Sequence, residues 1–157
     1  MLKKEGVYLP DTKVKNPNVD NWSYTSVKQL NSLGLISAGA NNDYKFDKEA
    51  TQKDLAALIL NGICRLAPEK YSLKLDKRIR PYFTEDGLTI DRAAVILLEL
   101  NGEAANNKEA YSKACEKGYI DNEMQLRLKD QKIMTMDQVF ELSAYNIKLF
   151  TGKTFPE

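Results

Sequence analysis

Histidine is absent from this chain. That removes the commonest general base and the commonest metal ligand at neutral pH. Cysteine occurs twice, at Cys64 and Cys115, too few for a disulfide scaffold or a four-cysteine zinc site. The two are compatible with one disulfide, but free thiols buried as small apolar groups are the better expectation. An excess of one charge is missing too: 23 Lys and Arg face 22 Asp and Glu, so no global field draws the chain to nucleic acid or to a membrane surface. No run approaches the roughly 20 apolar residues of a membrane span. The start, from Met1 to Pro10, is basic but has no apolar stretch behind it, and does not read as a signal peptide. Nor is there a phosphate-cradling loop, because the stretch from Gly34 to Gly39 lacks the following Lys-Ser or Lys-Thr and has no strand before it.

What remains is an ordinary globular composition, 43% hydrophobic and 29% charged over 157 residues, enough for one compact domain or a short array of repeats. Within it, three similar segments open on Thr51, Thr89 and Thr135, each followed by an apolar run at helical spacing. Thr51 is built as a helix N-cap with Asp54 three positions on, and Ala50 and Leu55 sit at the hydrophobic-staple positions. Thr135 repeats the design with Gln138 as box partner and a Met134–Val139 staple. Thr89 keeps the Leu88–Ala93 staple but has Arg92 where the acid would be. Leu55, Leu58, Ile59 and Leu66 form the apolar stripe of the first capped helix, which has to end before Pro68. Gly102 and Gly152 mark the stops of the other two.

An upstream helix precedes two of the caps. The spacing of Tyr24, Val27, Leu30 and Leu33 predicts one over 23–33, stopped by Gly34-Leu35-Ile36. Residues 108–117 match it and stop at Gly118-Tyr119-Ile120. From glycine to capping threonine is 17 positions in both (34 to 51, 118 to 135). The middle copy has only 68–82 for its first helix, which is short or remodelled and limited by Pro81. Polar turns are expected over 37–43 and between Gly118 and Thr135, and an extended arm over 1–21. The units so defined are 1–21 (arm), 22–67, 68–104 with a truncated first helix, and 105–157 with a C-terminal tail. Each is too small to bury its own apolar face, so the three capped helices are expected to share a core.

These residues resemble the S-layer homology family, whose repeat runs from an aspartate and tryptophan through a helix, Gly-Leu-Ile and an aromatic loop to Ile-Thr-Arg-Ala-Glu at the start of a second helix. The first copy matches at Asp20, Trp22, Val27, Leu30, Gly34-Leu35-Ile36, Tyr44, Phe46 and Ala50-Thr51-Gln52-Lys53-Asp54. The third matches at Gly118-Tyr119-Ile120 and Met134-Thr135-Met136-Asp137-Gln138, and the second mainly at Leu88-Thr89-Ile90-Asp91-Arg92. The resemblance spans about 19–150. It implies an all-α fold, a pseudo-threefold array of three repeats around a central helix bundle. It also implies binding of acidic, pyruvate-bearing cell-wall polysaccharide in grooves between repeats, anchoring proteins to bacterial surfaces. The family's arginine after the capping threonine grips the anionic sugar through bidentate bonds. Here that position holds Gln52, Ile90 and Met136.

The candidate ligand-binding residues are therefore Trp22, Tyr44, Gln52, Asp54, Arg80 and Arg92. Trp22 and Tyr44 offer faces for a sugar, or are core aromatics. Gln52 offers an amide for a hydroxyl, or is an exposed first-turn residue. Arg80 and Arg92, with Lys53, are the cations nearest the lost arginine position. A cation in a first turn faces the positive helix end, typically unfavourable by ~0.3–1 kcal/mol, so Arg92 calls for a partner such as Asp91 or Glu85.

The segment 70–80 interleaves Lys70, Lys74, Lys77, Arg78 and Arg80 with Tyr71, Leu73, Leu75 and Ile79. It is read as the solvated face of a connecting segment, as a basic patch toward an acidic partner, or as a nucleic-acid contact, with the balanced net charge against the last. Glu85 with Asp86 and Asp121 with Glu123 fall on expected loops, and nothing in the pattern sets two carboxylates across a cleft. The expectation is a non-catalytic module, without metal or cofactor, whose partner is bacterial cell-wall polysaccharide. The alternative keeps the scaffold for a protein partner, or for a small inhibitor's role. The envelope reading requires a signal removed upstream; a true start at Met1 favours the cytoplasm.

Overall fold

A computed structural model describes residues 22–36 and 44–156. Among these the chain is all-α. The helices are α1 (Tyr24–Ser32), α2 (Gln52–Leu66), α3 (Leu73–Ile79), α4 (Ile90–Leu100), α5 (Asn107–Glu116), α6 (Asn122–Leu128) and α7 (Met136–Thr151). Two 3-10 turns, Pro68–Lys70 and Arg80–Tyr82, flank α3. The expected arm over 1–21 and the turns over 37–43 lie outside the described residues.

The helix boundaries follow local chemistry. At α2 the Asp54 N–H donates to Thr51 Oγ1 at 3.2 Å while Thr51 N–H donates to Asp54 Oδ2 at 2.8 Å, a closed capping box. At α4 the Arg92 N–H donates to Thr89 Oγ1 at 3.0 Å. At α7 the Thr135 N–H donates to Gln138 Oε1 at 3.0 Å, and the Thr135 hydroxyl donates to the Asp137 carboxylate. The staple pairs Ala50–Leu55, Leu88–Ala93 and Met134–Val139 are all buried. Gly34 and Gly118 adopt φ of +71° and +82°, as the left-handed stop requires. Leu35 N–H then returns to Leu30 O, and Tyr119 N–H to Ala114 O, at 3.1 and 2.9 Å.

The segments before the three threonines hold one another. Ala50 N–H donates to Met134 O, Met134 N–H to Leu88 O, and Leu88 N–H to Ala50 O, each at 2.9 Å. The cycle is closed. One step outward, the first-turn amides of Gln52, Ile90 and Met136 donate to the carbonyls of Asp86, Lys132 and Lys48 at 2.9, 3.1 and 2.9 Å. These bonds have a definite cause. A helix start leaves its first N–H groups unpaired, and a buried backbone group without a partner costs stability. Ala50, Leu88 and Met134 are at most 1% exposed, so the amides that water cannot reach are satisfied by the neighbouring segment.

From this cycle α2, α4 and α7 run into one buried core that includes Leu55, Ile59 and Ile63, Ala93 and Ile96, and Val139, Leu142 and Ile147. Gly62 lets α2 approach α7: a Cβ there would lie 2.3 Å from Ile147 Cδ1. The upstream helices pack outside, α1 on α7, α5 on α4, and α3 on α4 and α2.

Three expectations need correction. The stretch between Gly118 and Thr135 is not all turn: α6 forms there, capped by Asp121, whose Oδ1 accepts from Met124 N–H at 2.9 Å. Met124 and Leu128 bury one face of it, and Glu123 pairs with Arg127 one turn on, at 3.1 Å. Glu123 is thus helical, not on a loop. The segment 70–80 contains α3, which buries Leu75 and Ile79, so it is more than a solvated connection. Cys64 is exposed rather than buried, and both cysteines are free thiols.

Candidate functional site

The six candidate residues do not converge on one cleft. Trp22 is half-buried at the entry to α1, its Nε1–H donating to Asp137 Oδ2 at 2.9 Å across to α7. The Arg127 guanidinium carbon stands 3.8 Å from the centre of its ring, so one face is already covered by a cation. Tyr44 packs in a cluster with Phe46 and Phe140, at centroid distances of 5.9 and 6.3 Å. Asp54 is engaged in its capping box. Gln52 is half-buried and ties to Asp86 through its backbone.

The two arginines have partners inside the protein. Arg80 meets Asp76 at 2.6 Å and lies 4.4 Å from the centre of the Phe83 ring. Hydrogen bonds from Arg80 and then from Tyr71 hold the Asp76 carboxyl below its ordinary range. Arg92 lies over the Tyr82 ring at 5.8 Å, and no ion pair joins it to Asp91 or Glu85. The expected carboxylate partner of Arg92 is corrected to an aromatic one. Burial, then Glu99, raises the Tyr82 hydroxyl above its usual value.

Two clefts open beside the capping threonines. The smaller, about 330 Å³, lies between α2 and the start of α7. Lys53, Asp54, Asn61 and Glu85 line it with Met136 and Phe140, and Met136 fills the place after Thr135 where the resembled pattern carries arginine. The larger, about 680 Å³, lies between the start of α4 and the strap that follows α6. Thr89, Ile90 and Asp91 form one wall, Tyr111 and Gln125 a second, and Lys129 to Ile133 the third.

The larger cleft is a firm frame with loose charges. Gln125 Nε2–H donates to Ile120 O at 2.9 Å, and Gln131 Nε2–H donates to Ile133 O at 2.8 Å, so the walls are fixed. Asp130 turns the strap at φ +63°, a conformation that aspartate tolerates better than most residues. Thr89 Oγ1 accepts from Arg92 N–H and keeps its own proton to donate. Burial and the neighbouring Cys115 thiol push the Tyr111 hydroxyl up to about 12, so it is a donor at any physiological pH. Asp91, Lys129, Asp130 and Lys132 make no ion pair among the described residues.

None of the six candidates except Asp54 lines either cleft. Lys129, Lys132 and Gln125 escape the sequence reading because it treats the span of α6 as turn. The signal was available: Asp121 at a cap, Met124 and Leu128 at i, i+4, and Glu123 opposite Arg127. Of the carboxylates weighed for acid–base work, Asp121 is the cap of α6 and Glu123 is paired with Arg127. Burial raises the Cys115 thiol above its ordinary range, which disfavours the thiolate. No group of His, Cys, Asp or Glu among the described residues is arranged to hold a metal, and no helix there is long and apolar enough to cross a membrane. No protein-family model, curated protein or solved structure matches this chain.

Proposed function

We propose that the chain is a pseudo-threefold array of three S-layer-homology-like repeats, and that it works as a non-catalytic module binding anionic cell-wall polysaccharide at the bacterial envelope. The repeat arrangement is supported by the closed cycle of bonds among Ala50, Leu88 and Met134, one from each unit. The binding reading rests on one observation above all: the cleft of about 680 Å³ beside Thr89 and Ile90, which combines fixed polar walls with two lysines that make no ion pair among the described residues. A sugar needs several hydrogen-bonding groups at set positions, and Thr89, Tyr111 and Asp91 supply them. Lys129 and Lys132 supply the positive charge that the position of Ile90 has lost, as point charges rather than a guanidinium fork. Trp22, Arg80 and Arg92 hold the scaffold in this reading.

The test is retention of the protein on purified peptidoglycan carrying its secondary polymer. Lys129→Ala with Lys132→Ala is expected to lower retention about tenfold while the melting temperature holds, since both side chains are exposed. Unchanged retention would remove this cleft as the site. No retention of the unaltered protein would remove the polysaccharide reading.

A further inference from the structure

The short helix α3 has four sides, and three are accounted for. Leu75 and Ile79 face the core, at 6% and 0% exposure. Asp76 and Arg80, one turn apart, neutralise each other at 2.6 Å. The Tyr71 hydroxyl donates to the same carboxylate, also at 2.6 Å. Leu73 and Lys77 share a third side that is open to solvent, with Leu73 67% exposed. The fourth side carries Lys74 and Arg78, and it forms one wall of a groove of about 340 Å³. The opposite wall is the C-terminal end of α4 and the end of α7, through Leu100, Gly102 and Phe150.

Among the described residues the cations here have no counter-charge. Lys70, Lys74, Lys77 and Arg78 make no ion pair among the described residues. The acids that lie near in the chain are engaged elsewhere: Glu69 with Lys153 at 2.7 Å, Glu103 with Lys117 at 3.1 Å, and Glu99 toward Tyr82. Arg78 is instructive beside Arg65. Both guanidiniums lie over a helix-stopping glycine, at 2.8 and 2.7 Å from where a Cβ would stand on Gly102 and Gly34. Arg65 spends its Nη1–H on the Leu33 carbonyl at 2.6 Å, a C-terminal cap. Arg78 makes no such bond among the described residues, so its fork remains available. In a chain whose charges sum to +1, this concentration is local and, among the described residues, uncompensated.

We propose that the groove between α3 and the ends of α4 and α7 docks an acidic, amphipathic segment of a partner protein. The charge pattern selects carboxylates, which Arg78 and Lys74 can pair with directly. The apolar floor of the groove, the half-buried Phe150 ring beside the edges of Leu75 and Leu100, favours an apolar side chain over a sugar. A nucleic acid would call for an open aromatic platform, and Tyr71 is half-buried with its hydroxyl committed to Asp76. Charged rims of this kind set association rate and salt dependence, and apolar contacts at the centre hold the partner.

The test is fluorescence anisotropy with a labelled short peptide alternating glutamate and leucine. Polyglutamate, a serine–leucine peptide and an oligothymidylate serve as competitors. The glutamate–leucine probe is expected to bind and to be displaced only weakly by all three. Its affinity should fall by about tenfold in Lys74→Glu with Arg78→Glu, a reversal of two rim charges. Phe150→Ser, on the groove's apolar wall, should weaken it about threefold. Raising salt to roughly 0.5 M should weaken binding, because the Debye length then falls to a few ångströms. The proposal is overturned if the probe fails to bind, if both variants bind as well as the unaltered protein, or if polyglutamate or the oligothymidylate binds more tightly than the probe.

Discussion

Asp137 carries more of the local order than any other carboxylate near the helix starts. It accepts from the Trp22 indole at 2.9 Å, from the Thr135 hydroxyl, and from the Gln138 N–H at 2.9 Å. It also sits in the first turn of α7, where a negative charge is favoured by the helix dipole. Asp137→Ala is expected to destabilise the protein by about 1–3 kcal/mol, since it strands a half-buried indole N–H and a helix-start amide. Urea denaturation measures this. A change within a few tenths of a kcal/mol would mean that Trp22 docks by apolar contact alone. A second residue-scale effect belongs to Tyr111. Its hydroxyl is pushed up to about 12 from the ordinary tyrosine value near 10, so the folded state keeps a proton that the unfolded chain releases. Stability is then full below pH ~10 and falls as pH rises toward 12. Melting temperatures across that window should drop more steeply for the unaltered protein than for Tyr111→Phe.

At the scale of the element, the three capped helices and the two glycine-stopped helices were legible from composition and spacing. Cap, staple and stop are short-range signals, and Thr51 with Asp54, or Gly34 with Leu35, show them within a few residues. α6 was not legible by the same habit. Its exposed face, with Asn122, Glu123 and Arg127, looks like turn chemistry, and only Met124 and Leu128 mark a buried side. A seven-residue helix has little propensity of its own and exists because that side packs. Asp121→Ala should therefore cost about 1 kcal/mol through loss of the cap. Amides of α6 should then exchange faster while those of α2 are unchanged. Equal acceleration in both helices would show that α6 opens only with the whole molecule.

The whole molecule is organised by the closed cycle of bonds among the segments before the caps, and no single stretch of sequence could announce it. Thr51, Thr89 and Thr135 announce three helix starts; that Ala50, Leu88 and Met134 then bond to one another is long-range geometry. The cycle predicts a shared fate. The amides of Ala50, Leu88 and Met134 should exchange with solvent at similar, very slow rates set by global unfolding. One of them exchanging by local fraying would break that account. The same geometry explains why the candidate residues do not meet in one cleft. Trp22 bonds to Asp137 on α7 and Arg92 lies over Tyr82, contacts that sequence spacing does not show, while Arg80 is covered locally by Phe83 three residues on. The charges that make no ion pair among the described residues include Lys129 and Lys132 beside Ile90 and Lys74 and Arg78 on α3.

In the proposed function an anionic polysaccharide enters the cleft between α4 and the strap after α6. Amide chemical-shift mapping of the labelled protein, titrated with purified secondary cell-wall polymer, reads it directly. Saturable shifts are expected, confined to Thr89, Ile90 and Asp91 and to the strap from Lys129 to Ile133. Shifts centred on any other face, or none at saturating polymer, would contradict it.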